Sequence, residues 1–152
     1  MKRTLTFATS AVALMAATNL GTPEAAAATW ETNYASPGQV GCAGILSAPN
    51  SDGWVCFQPY GDVWQVHTSP TNSGRISVQW ENQLRDASGA WVTYRTGQCI
   101  NDLGRDQVGV CNKDYYENSS YNALGGYGSM IRYKACTNVA CTTFLPWQRN
   151  DA

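Results

Sequence analysis

Six cysteines, Cys42, Cys56, Cys99, Cys111, Cys136 and Cys141, constrain this 152-residue chain more than any other feature. What they form depends on the compartment, and residues 1–28 speak to that. Lys2 and Arg3 open the chain, an apolar run extends from Phe7 through Met15 to Ala17, and Ala25–Ala28 stand before Thr29. This is the charged, apolar and small-residue order of a secretory signal peptide. The apolar run is shorter than the about 20 residues that span a bilayer, and the segment lacks the polar face of an amphipathic helix of the folded domain. Cleavage near Thr29 is therefore expected, leaving a secreted, extracellular chain with no membrane anchor. An even number of cysteines in a short exported chain reads as a disulfide framework. Spacing favours sequential pairing, Cys42 with Cys56, Cys99 with Cys111 and Cys136 with Cys141, because each pair flanks a turn-rich segment.

Metal and redox chemistry fit the cysteines less well. There is no C-x-x-C, and the single histidine, His67, is far from every cysteine in sequence. No metal and no cofactor are expected. Without the leader the chain has about 124 residues, eight basic and ten acidic, enough for one domain with a moderate core. That charge leaves no electrostatic footprint for nucleic acid or an anionic membrane. All six tryptophans and all eight tyrosines follow residue 28, in a background rich in Gly, Asn, Ser and Thr. Strong helix formers are scarce there, as in an extracellular β-protein.

The organisation follows: signal peptide 1–28, an extended N-terminal arm 29–41 pinned at Cys42, and a single disulfide-rich β domain 42–152. Strand patterns appear at Trp54–Phe57 and Val63–His67, then at Arg75–Leu84, where Ile76, Val78 and Trp80 alternate with Ser77, Gln79 and Glu81. Ala90–Arg95 is the next strand. Gly97–Val110 reads as a loop or wide hairpin closed by Cys99 and Cys111. Met130–Cys136 alternates again, and a tight hairpin at Cys136–Cys141 leads to a last strand over Thr142–Trp147. Short strands at this spacing, with no helical period, predict an all-β fold, a small disulfide-stapled β-sandwich or barrel.

Catalytic readings are thin. Any Ser-His-Asp or Cys-His mechanism must use His67, yet no G-x-S-x-G surrounds a serine and the cysteines are spoken for. A small hydrolase working through carboxylates would draw on Asp52, Asp62, Glu81, Asp102, Asp106, Asp114 or Glu117, which are scattered over turns. Asn101–Asp106 offers oxygen ligands near a glycine but lacks the EF-hand pattern, and Arg105 opposes a cation. The better signal is the long polar segment Asn112–Ser129. Its tyrosines Tyr115, Tyr116, Tyr121 and Tyr127, set among Asn, Ser and Gly, have the character of a recognition surface, with folding back into the core as the competing role. Trp30, near the mature start, joins them as a candidate contact, and Tyr34 lies in the same arm, which can cross its own domain or add a strand to a partner. Trp80 is expected in the core, with Trp54, Trp64 and Trp91 core or half-buried and Trp147 exposed. A non-enzymatic binding protein for an extracellular protein or glycan is the favoured function, the hydrolase the alternative, and oligomeric state is left open.

The run Trp54–Val66 (WVCFQPYGDVWQV), with Tyr94–Cys99 (YRTGQC), Gly109–Lys113 (GVCNK) and Arg132–Cys136 (RYKAC), resembles a group of small exported actinobacterial proteins. These share a cysteine-framed β domain and mostly have no assigned activity. The resemblance spans Gly53–Cys141 and rests on cysteines and turn residues, so it carries over no catalytic residue. It implies a place such as an adaptor or lectin-bearing part of a secreted antibacterial toxin assembly.

Overall fold

The computed structural model describes residues 28–71 and 74–150. The signal-peptide reading therefore falls outside the described residues, Ala28 excepted. The strands are β1 (Thr29–Tyr34), β2 (Ser36–Pro37), β3 (Leu46–Ser47), β4 (Gly53–Gln58), β5 (Val63–Thr68), β6 (Ile76–Asp86), β7 (Trp91–Asn101), β8 (Val108–Asn112), β9 (Gly125–Cys136) and β10 (Gln148–Arg149). They form two five-stranded sheets, one in the order β1-β7-β6-β9-β10 and the other β2-β8-β5-β4-β3. The fold is all-β, with three disulfides, as composition and alternation predict.

The alternation in β6 and β9 has its expected meaning. Ile76, Val78 and Trp80 of β6 and Ile131, Tyr133 and Ala135 of β9 are buried, and Ser77, Gln79, Arg132 and Lys134 face outward. They meet Val55, Phe57, Trp64 and Val66 of the second sheet in one core. Burying such side chains is worth about 1.5–3 kcal/mol each before conformational entropy is counted. Trp64 and Trp80 are core, while Trp54 and Trp91 are half-buried.

Each cysteine pairs with its sequence neighbour: Cys42–Cys56, Cys99–Cys111 and Cys136–Cys141. The middle bond has the largest structural reach, because Cys99 lies on β7 in one sheet and Cys111 on β8 in the other, both buried.

Three expectations need correction. The segment Gly97–Asn101 is strand, not loop: β7 continues through it, and Gly97 is there because a Cβ would sit 2.5 Å from the Glu31 carbonyl oxygen of β1 and 2.7 Å from the Trp80 ring. Thr142–Trp147 forms no strand. It follows β9 through isolated contacts, Thr142 N–H to Ala135 O and Leu145 N–H to Tyr133 O, and Pro146 has no N–H to continue the ladder. Trp147 is half-buried rather than exposed, its ring lying 4.6 Å from the Arg132 guanidinium. Of the two courses open to the arm, the structure shows the one along its own domain. β1 pairs in parallel with β7 over Thr29–Tyr34, and β2 crosses to the other sheet and pairs with β8.

Replacing Cys99 and Cys111 together by Ala should lower the unfolding free energy by about 3 kcal/mol, within the usual 2–4. The Cys136/Cys141 double variant should cost less, because its loop is shorter, with a separation of 5 residues against 12. Urea unfolding of both variants tests the order, and equal costs would contradict it.

Candidate functional site

β1 lacks an apolar inward face. Trp30, Thr32 and Tyr34 are exposed, and Glu31 and Asn33 point toward the body. Arg95 of β7 grips Glu31 with two bonds, Nε to Oε1 at 2.5 Å and Nη2 to Oε2 at 3.1 Å. Lys113 donates to Glu31 Oε2 at 2.8 Å and to Asn33 Oδ1. The Lys113 side chain is only 4% exposed, and its Nζ lies 5.0 Å from the centre of the Trp80 ring. Arg95 stands over the Tyr115 ring at 5.4 Å. A charged pair with paired hydrogen bonds and aromatic cover thus replaces the apolar contact that would ordinarily hold an edge strand. The Arg95 hydrogen bonds, helped by Lys113 and opposed by desolvation, hold the Glu31 carboxyl below its ordinary range.

The same arginine lines a groove. Register in β7 passes from Asn82↔Arg95 to Gln83↔Thr93, so Tyr94 is the extra residue of a β-bulge. Bulges re-aim side chains and recur beside functional sites. Here Tyr94, Arg95, Asp114 and Tyr116 surround an open groove of about 250 Å³. Arg95 Nη1 also donates to the Asp114 carbonyl at 2.8 Å, which fixes the far wall.

The four expected tyrosines divide. Tyr115 is 3% exposed and belongs to the core, so its assignment to a recognition surface is corrected. Its hydroxyl accepts a bond from Trp64 Nε1 at 2.9 Å, and its ring meets Phe57, Trp64 and Trp80 edge-on. Burial pushes its phenol pKa up. Its N–H donates to the Asp62 carboxylate at 2.7 Å, which also accepts from the buried Asn150. Desolvation raises the Asp62 carboxyl pKa despite these two bonds. Tyr116, half-buried, lines the groove.

Tyr121 and Tyr127 are 64% and 61% exposed and stack edge-to-face at 5.3 Å, opposite each other in a small bridge. The buried Asn122 amide holds this tip by donating to Arg85 O and Gly128 O and accepting from Leu124 N–H. Trp30, 54% exposed, sits on the outer side of β1. The candidate contacts therefore occupy three places: the groove, the tyrosine tip and the β1 edge.

Of His67 and the candidate acids, Asp114 alone lines the groove among the described residues. His67 stacks on Trp54 at 5.1 Å, and its Nε2 lies 3.3 Å from Asp106. Among the described residues no serine, threonine or cysteine side chain bonds the imidazole. Asp102 lies 3.8 Å from Arg75, Glu81 pairs with Arg132, and Asp62 is buried. Among the described residues no three His, Cys, Asp or Glu side chains gather as a metal site.

Glu31, Tyr94, Arg95, Lys113 and Asp114 were missed as a group. The one available signal was acidic Glu31 inside an otherwise uncharged extended run, which calls for a cation across the sheet. No protein-family model, curated protein or solved structure matches the chain.

Glu31→Gln should cost about 2 kcal/mol at neutral pH, below the about 3–5 of a fully buried ion pair, because the Glu31 and Arg95 side chains each stay 25% exposed. A lowered folded-state pKa means that this contribution is present above the ordinary value of 4.5 and is lost as pH falls through the lowered one. Asp62, with a raised pKa, acts in the opposite sense in both proteins. The gap between wild type and variant should therefore narrow on acidification in urea titrations from pH 7 to 3, and a constant gap would contradict the pairing.

Proposed function

We propose that this chain is a secreted, non-enzymatic binding protein that engages an extracellular glycan or protein. The supporting observation is a set of large aromatic rings held exposed on a disulfide-stapled frame. Trp30, Tyr34, Tyr60, Tyr121 and Tyr127 stay in solvent, while the other described aromatics are buried or half-buried. Rigid amphipathic rings beside short polar side chains give contact area at low entropic cost. Three disulfides suit an oxidising, extracellular setting. No helix among the described residues is long and apolar enough to cross a membrane.

The hydrolase reading has less behind it. A glycoside hydrolase needs two carboxyls facing each other across a cleft, and the groove is lined by one acid, Asp114. His67 works with Asp106 and Trp54 away from that lining. The adaptor role suggested by the resemblance to exported actinobacterial proteins draws support from a different feature. β1 is the terminal strand of its sheet and carries Trp30 and Tyr34, so its outer edge and its aromatic face are presented together.

Capture from culture supernatant and from isolated cell envelope, followed by single variants, tests the reading. Trp30→Ala, Tyr121→Ala or Tyr127→Ala should weaken binding by more than about 1 kcal/mol in at least one case, with melting unchanged. Tyr115→Ala is the contrasting variant and should lose about 3–5 kcal/mol of stability. If all three exposed-ring variants bind as wild type does, the recognition surface is not the exposed aromatics.

A further inference from the structure

We infer that the groove beside the β7 bulge is a saccharide site that seats one neutral sugar ring. This rests on the binding reading above and names the ligand class of one of its surfaces. The groove's polar groups are available. Of the N–H donors on the Arg95 guanidinium, Glu31 takes two and the Asp114 carbonyl one, and the rest are left for a ligand. Among the described residues the Asp114 carboxylate and the Tyr94 and Tyr116 hydroxyls have no hydrogen-bond partner. A guanidinium donor beside a carboxylate acceptor matches neighbouring sugar hydroxyls, each of which both donates and accepts. The two phenol rings offer faces for the C–H side of a pyranose.

Charge selects against the competing ligands. The cations Arg95 and Lys113 are balanced by Glu31 and Asp114, so an anion such as phosphate finds no net attraction. Arg95 in the wall repels a cation. A volume of about 250 Å³ lies below the usual range for drug-sized ligands, about 300–1,000 Å³, and suits one ring or the end unit of a chain. The walls are set in advance. Glu31 fixes Arg95, and Asp114 lies between the Cys99–Cys111 disulfide and the core residue Tyr115. Little ordering cost then remains on binding.

The test is titration of the full chain, isotope-labelled for NMR, with methyl glycosides of glucose, galactose, mannose and N-acetylglucosamine. At least one should saturably shift the amides of Tyr94, Arg95, Asp114 and Tyr116 by about 50 mM, where a millimolar site is filled. Asp114→Asn, which keeps the side-chain shape, should weaken that affinity at least about tenfold with the melting temperature unchanged. Tyr94→Ala should do the same through loss of ring contact. Silence with all four sugars, or shifts produced instead by inorganic phosphate or lysine, overturns the assignment. Silence in a protein that still loses its partner on Tyr121→Ala overturns the sugar site alone. Silence together with unaltered capture by every exposed-ring variant overturns the binding reading as well.

Discussion

The Glu31 carboxylate, held between Arg95 and Lys113, is the contact on which the arrangement of this domain depends. β1 has almost nothing apolar to bury, so backbone pairing with β7 and this charged contact together keep it in the sheet. The cost of bringing three charges partly out of water is offset by paired hydrogen bonds and by the rings of Trp80 and Tyr115 beneath the cations. The same carboxylate orients Arg95, and through Arg95 the Asp114 carbonyl. One interaction therefore ties the first strand to the body and shapes the groove.

The disulfides serve a different purpose. Cys99–Cys111 joins the two sheets across the core, close to the segment that carries Lys113, Asp114 and Tyr115. That segment has little regular structure, and it is fixed at both ends: by the disulfide before it and by Tyr115 packed against Phe57, Trp64 and Trp80 after it. A small domain with a moderate core can in this way hold irregular chain rigidly enough to present polar groups at set positions. The tyrosine tip follows the same logic with a cheaper device, the buried Asn122 amide.

Sequence reading reached the parts governed by short-range rules. The inward faces of β6 and β9 were legible because apolar and polar residues alternate there, and the sequential disulfides because each closes a short loop. The parallel place of β1 was not legible, since its inward residues are Glu31 and Asn33 and their partners lie 64 to 82 positions away. The continuation of β7 was hidden by Gly97, whose reason is the Glu31 carbonyl of β1 and the Trp80 ring, both too close to admit a Cβ. Tyr115 and Tyr116 are adjacent and alike in sequence, yet one is core and the other lines the groove. What separates them is a hydrogen bond from Trp64, 51 positions away. The groove itself arises from a bulge, which leaves no mark in composition.

Native-state hydrogen exchange in β1 tests the central claim most directly, because a strand held by Glu31 opens only with the sheet it belongs to. The amides of β1 that bond to β7 should be protected nearly as well as those of β6, and Glu31→Gln should speed their exchange more than that of β6. Amides of Thr29–Tyr34 that exchange like an unstructured peptide, while β6 stays protected, would contradict the account.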